Sequence, residues 1–425
     1  MTPTVPAQAS RGGLFAPLRN PDYLRLWLAD GLWWQSMWME QVALGWIALQ
    51  MTDSAWWVAV VAFCRSVPLP VVGLFGPIWG ERFLRRRLVM ALQCVNLVGA
   101  LTLLVLHLSG GLEYWHLAAV ALANGSAWAL DWPTRRALLP DLVGRDRVVD
   151  GMVLESLLQA LTRLTGPLLA GVSLERLGTG GALGLLVGIS AGAVVLLAGL
   201  RTDSRSPSPP KGVVAAWQSL REGLSYVKRQ PAILGTLAIT VIMNTWAFPF
   251  QALLPVIARD VLGQGPLGLG MLGAANGFGG LAGLLLVNWS RERCSKEGIF
   301  TAGSLLGCVG LIGLSLSTSL PLSLTALVVS GVGLAGFSIM QSSIILVEAT
   351  DEMRTRAMGA LVLAIGAGPL GRVQGGAMAV AWGAPLAVGS MALWAVIGVT
   401  VVAWRLRGFL PAFRGRPPLR GRPPR

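Results

Sequence analysis

The sequence predicts an all-α polytopic membrane protein with twelve transmembrane helices in two six-helix, pseudo-symmetric halves. Three observations predict it. Of 425 residues, 54% are hydrophobic and only 13% are charged, whereas a soluble chain carries about 25% charged residues. Apolar runs recur from end to end, each long enough to cross about 30 Å of hydrocarbon, and the mean hydropathy is +0.63. The 34 basic residues gather on alternate loops. A soluble enzyme, a disordered chain and a disulfide-rich secreted module are excluded.

The apolar runs cover 24–50, 55–79, 86–108, 115–133, 151–174, 182–200, 232–254, 266–288, 299–318, 320–346, 357–380 and 384–404. Backbone polar groups in lipid need partners within their own segment, so these are helices. The ten-residue alternation of a transmembrane barrel is absent. A polar segment, 1–23, precedes the first six-helix bundle, 24–200. The linker, 201–231, starts with the Ser/Pro-rich RTDSRSPSPPKG, which stays extended. It continues with VVAAWQSLREGLSYVKR (213–229), an amphipathic pattern suited to a membrane surface. The second bundle, 232–404, ends in a basic tail, 405–425.

Net charge is +14. In a soluble protein this would suggest nucleic acid; here it sorts by loop. With both termini inside, 29 basic residues lie on the cytoplasmic side, Arg176 and Arg259 lie outside, and Arg65, Arg163 and Arg372 lie within the bilayer. Basic residues accumulate on the cytoplasmic face of membrane proteins, so both termini are expected in the cytoplasm. The halves also repeat. Gly166-Pro167 in the fifth helix corresponds to Gly368-Pro369 in the eleventh at an offset of 202, and the basic loops from Glu81 and Ser290 correspond at an offset of 209. Parallel repeats place a substrate site near the midplane between halves. The Gly-Pro steps are expected to bend their helices and admit close neighbours.

The loop after the second helix reads PIWGERFLRRR (77–87). It resembles the G-x-x-x-D-R-x-G-R-R motif of the major facilitator superfamily, with Arg82, Arg85 and Arg86 matching and Pro77, Glu81 and Leu84 departing from it. DWPTRRALLPDLVGRDRVVDG (131–151) and LTRLTGPLLAG (161–171) resemble the bacterial subfamily that contains the enterobactin exporter and macrolide efflux pumps. The resemblance covers about residues 15–405 and implies the major facilitator fold in a bacterial inner membrane. It also implies an inner-gate clasp built from Glu81, Arg82, Arg85 and Arg86 with Asp131, Arg135 and Arg136. A plain topology-setting basic loop is the alternative.

Ionisable residues within a membrane are costly and mark function by default. Glu40 in helix 1 and Arg65 in helix 2 share a depth; their pair is either a static bridge or a site where Glu40 takes up a proton. Asp30 is a second proton candidate or a solvated cap, and Glu155 a third or a partner for a loop arginine. Arg65, Arg163 and Arg372 are candidates for the substrate cavity, with Trp38, Asn244, Trp246 and Gln341. Paired guanidiniums suit an anionic or catecholate-like ligand, and a tryptophan offers a stacking face.

Cys64, Cys94, Cys294 and Cys308 lack metal-ligand spacing, and His107 and His116 flank one short loop. No metal or cofactor is expected. No G-x-x-x-x-G-K-[ST] occurs, so ATP does not drive transport directly. The chain is expected to be a monomeric secondary transporter, not an enzyme. Its partners would be protons, a small-molecule substrate and the lipid bilayer. The resemblance implies export of a siderophore or drug-like compound. A lipid or lysolipid flippase of the same fold, and a non-transporting sensor or scaffold, are the alternatives.

Overall fold

The computed structural model describes residues 13–72, 84–202, 221–350 and 352–405. Twelve helices cross the described part: α1 (Pro21–Thr52), α2 (Ala55–Val72), α3 (Arg85–Leu108), α4 (Tyr114–Val143), α5 (148–177), α6 (179–198), α7 (Pro231–Val261), α8 (Pro266–Ser290), α9 (Lys296–Leu316), α10 (Leu320–Glu348), α11 (Arg356–Trp382) and α12 (Ala384–Arg405). Nine stretches among the described residues are long and apolar enough to cross a membrane, and one of them, Val148–Ala198, holds both α5 and α6. The two helices below that threshold are α1 and α4. They carry most of the buried charge described below.

Local chemistry sets the helix ends. The Asn20 side chain accepts hydrogen bonds from the Asp22 and Tyr23 amides, and Pro21 occupies the first turn, so α1 starts there. Ser295 caps α9 in the same way, accepting from the Gly298 amide. A break at Gly178, φ 67°, separates α5 from α6; this left-handed backbone is open to glycine without steric cost.

Three elements differ from the sequence expectation. The fourth helix runs ten residues past 133, through Pro133 and Pro140. Proline breaks helices in water, but within a bundle neighbouring groups satisfy the freed carbonyls. The seventh helix extends to Val261 and contains two π-helical turns, Met243–Ala247 and Ile257–Val261. In the linker, residues 221–228 are helical, and Val227 is buried with Ile345, Ala357 and Leu361 of α10 and α11. That apolar face therefore covers protein. A Glu222–Arg356 ion pair at 2.8 Å secures it. Residues 213–220 lie outside the described part.

The halves meet along two seams, α5 against α8 and α2 against α11. Gly171 and Gly270 face each other in the first, so that a Cβ on Gly171 would lie 2.9 Å from Gly270 Cα. In the second, Gly376 lies against Ala59. The largest apolar core runs across both halves.

Candidate functional site: a cavity between the halves and two buried charge networks

Helix α1 positions the site. Its Trp38 and Gln41, three residues apart and so on one helical face, line a cavity between the halves. Glu40 and Asp30 point elsewhere, into the first half.

Glu40 is buried at 7% exposure. Its Oε1 accepts from Arg65 Nη1 at 3.0 Å and from Asn124 Nδ2 at 3.0 Å. This joins α1, α2 and α4. The approach depends on Gly125, since a Cβ there would lie 1.9 Å from the Arg65 carbonyl oxygen. Charges balance within this network.

The second network is not balanced. Arg135 Nη1 donates to Asp30 Oδ1 at 2.5 Å, its Nε to Asp131 Oδ1 at 2.9 Å and its Nη2 to Gln93 Oε1 at 3.3 Å. The guanidinium also lies 5.0 Å from the Trp33 ring centroid. Asp131 is 0% exposed, Arg135 4% and Asp30 8%, and Asp131 Oδ2 has no hydrogen-bond partner among the described residues. Two carboxylates thus share one guanidinium. Arg135 and Asp131 were expected in an inner-gate loop. The continuation of α4 through its prolines instead buries Arg135 among α1, α3 and α4.

The other gate candidates form bonds within the first half. Arg85 Nη1 donates to Asp141 Oδ2 at 3.1 Å and to the Ala137 carbonyl at 3.0 Å. Arg86 reaches the Ala198 carbonyl at 3.3 Å. Arg136 pairs with Glu155 at 3.2 Å and stacks over Trp132, so Glu155 is the partner of an arginine on α4. Glu81 and Arg82 lie outside the described residues.

The cavity has two lobes that share Trp38, Gln41, Gln251 and Pro255. The larger, about 890 Å³ including its open mouth, also takes in Arg65, Trp128 and Arg372. The smaller, about 510 Å³ on the same measure, takes in Arg163, Pro167 and Asn276. Arg163 donates to Asn276 Oδ1 at 3.0 Å across the halves and lies 5.6 Å from the Trp38 ring centroid.

Three expected lining residues are engaged inside the second half. Asn244 donates to the Thr240 carbonyl at 2.9 Å, Gln341 to Thr240 Oγ1 at 2.8 Å, and Trp246 to Gln374 Oε1 at 3.3 Å while packing edge-on against Trp394. Their depth was legible, but their helix face was not. Gln41 and Gln251 were missed; a neutral amide interrupting an apolar run was the available signal. The Gly-Pro steps diverge. α5 continues through Gly166-Pro167, where Gly166 admits Trp38 of α1, and α11 is interrupted just before Gly368-Pro369.

At the end opposite the termini, Arg259 of α7 donates to Asp53 at the C-cap of α1 and to the Leu49 carbonyl at 3.4 Å. This latch joins the two halves. Asp53 is 81% exposed, and exposed pairs contribute about 0–1 kcal/mol. Arg259→Ala is therefore expected to raise access from that end by at most about fivefold. The measurement is the labelling rate of Gln41→Cys by an impermeant maleimide, in a background lacking the four native cysteines. An increase well beyond fivefold would show that the latch holds more strongly than an exposed pair.

Twelve membrane-depth helices in two halves around a midline cavity define a transporter of the major facilitator fold. The chain belongs to the transmembrane secretion effector family of that superfamily, whose profile matches residues 12–412. It is accordingly a multi-pass membrane transporter and not an enzyme. The chain is 25% identical over 138 residues to the staphyloferrin A transporter of Staphylococcus aureus, strain NCTC 8325 / PS 47. That match covers 32% of this chain and 35% of the relative, about a third of the relative's length. Among solved structures, it resembles a bacterial homolog of the human lysosomal transporter Spinster in an inward-facing, unoccupied conformation. There the TM-score is 0.73 at 14% identity, covering 96% of this chain and 100% of the other. It also resembles a POT family transporter in complex with 5-aminolevulinic acid, with a TM-score of 0.75 at 12% identity, covering 91% and 96%.

Proposed function

We propose that the chain exports a small amphipathic molecule, siderophore- or drug-like, from a bacterial cytoplasm by alternating access coupled to proton influx, with both termini cytoplasmic. The observation that carries this reading is the cavity between the halves, lined by Trp38 and by guanidiniums from both halves. The partial match to a siderophore transporter supports the substrate class. The basic loops support the orientation.

Proton coupling is assigned to the first half. Asp30 and Asp131 carry one more negative charge than Arg135 neutralises, and a single proton removes that excess. Glu40 is the second candidate, because substrate or helix motion that draws Arg65 away would leave it unpaired. Glu155, already paired with Arg136, is assigned a structural role.

The test uses proteoliposomes with an internal pH dye and a panel of catecholate, hydroxamate and carboxylate siderophores and amphipathic dyes. A substrate of the wild type is expected to move faster under an imposed pH gradient and to carry protons the opposite way. Asp30→Asn is expected to keep gradient-independent exchange while losing at least about tenfold of the gradient-driven rate. Glu40→Gln is expected to slow both. Substrate movement indifferent to the gradient would sink the proton-coupled reading, and full gradient-driven transport by Asp30→Asn would clear Asp30.

A further inference from the structure

The cavity walls carry a donor surplus that the fold does not satisfy. Arg65 is paired with Glu40. Arg163 has one hydrogen bond, to the neutral Asn276, and no carboxylate among the described residues pairs with it. No carboxylate among the described residues pairs with Arg372 either, and its Nη1 lies over Gly368, 2.9 Å from where a Cβ would sit. Each guanidinium has five N–H donors and no acceptor. The side chains of Trp38 and Trp128 line the same space, and their indole N–H groups have no partner among the described residues. Among the described residues two positive charges therefore remain uncompensated at membrane depth, one in each lobe, with Trp38 and Gln41 on the path between them.

Unpaired charges are retained at such depth when a counter-charge arrives from elsewhere. A monoanion neutralises one guanidinium and leaves the other exposed to the same penalty. A cation meets like charge in both lobes. A neutral ligand leaves both costs in place. We infer that the substrate is a dianion, with two carboxylate-type groups separated by an amphipathic body, one seated against Arg163 and the other against Arg372. Carboxylates match the planar guanidinium in bidentate fashion, and the intervening body lies along Trp38. This rests on the cavity being the substrate site of the proposed transporter and narrows its substrate class.

The test is equilibrium binding, which involves neither transport direction nor protons. Purified full-length protein in nanodiscs is titrated calorimetrically with α,ω-alkanedioates from heptanedioate to dodecanedioate, and with their monomethyl and dimethyl esters. The expected result is an affinity that peaks at one chain length. The monomethyl ester of that diacid should bind at least about tenfold more weakly, as expected for loss of one charge-assisted contact, and the dimethyl ester should not bind. Arg163→Gln and Arg372→Gln should each weaken the diacid at least about tenfold while barely changing the monoester's best affinity, since the remaining guanidinium holds it. Unliganded thermal unfolding confirms that each variant is folded, and Glu155→Gln serves as a control outside the cavity.

The inference is overturned if the dimethyl ester binds as well as the diacid, if both single variants keep wild-type affinity, or if no diacid binds. Diacid binding by a protein that fails to couple transport to a pH gradient would sink the proton-coupled reading and leave this one standing.

Discussion

Arg135→Leu is expected to cost about 3–5 kcal/mol of stability, the usual penalty for removing one partner of a buried ion pair. Here the effect should sit at the upper end, because two carboxylates, Asp30 and Asp131, lose their common cation at once. Both are enclosed by α1, α3 and α4, and the next acid–base pair, Glu155–Arg136, is already closed on itself. The measurement is the unfolding temperature and monodisperse yield of the purified protein. Adding Asp30→Asn and Asp131→Asn in the Arg135→Leu background should recover most of the loss, since no charge is then left without a counter-ion. Wild-type unfolding by Arg135→Leu alone would mean that water reaches the network. Failure of the triple variant to recover would mean that Arg135 acts through its packing on Trp33.

The second large effect comes from one methyl group. Gly125→Ala puts a Cβ 1.9 Å from the Arg65 carbonyl oxygen. That atom belongs to the backbone of α2 and cannot turn aside as a side chain can. The helices must separate, and overpacking of this kind typically costs about 1–3 kcal/mol, occasionally more. Separation also lengthens the bonds from Arg65 and Asn124 to Glu40, so transport should fall with stability. Gly188→Ala in α6 is the matched control, because a Cβ there meets nothing within 4 Å. A neutral Gly125→Ala would show that α2 and α4 slide apart freely.

Much of the fold was legible because lipid enforces it. Twelve apolar runs and a one-sided charge count predict helix number, and the repeat of Gly-Pro steps predicts two halves. The end of α4 was misread for a definite reason. The apolar run ends at 133, where charged residues begin, yet the helix continues to Val143, and the carbonyls freed at Pro133 and Pro140 find partners inside a bundle. That single boundary moved Arg135 from a gate loop to the centre of a buried network. In the site, charges were visible against apolar sequence, so Glu40, Arg65, Arg163 and Arg372 stood out. Neutral amides did not, which is why Gln41 and Gln251 emerged only with the structure. Asn244, Trp246 and Gln341 have the right depth, but their side chains bond to neighbours within the second half. Depth follows from counting residues, whereas facing requires knowledge of the neighbouring helix.

The polarity of α1 has a consequence for biogenesis. This helix leaves the ribosome before the other eleven, carrying Asp30 and Glu40, and a central acidic residue costs roughly 2.5–3.5 kcal/mol on insertion. Relief for Glu40 comes in part with Arg65 of α2 and in full with Asn124 of α4; relief for Asp30 comes with Arg135, also of α4. Nascent chains truncated before α4 hold Asp30 without Arg135 and Glu40 with Arg65 alone, and should be prone to slip back out of the bilayer or to be retained by an insertase. The fourth helix is thus the step that commits the first bundle to the membrane.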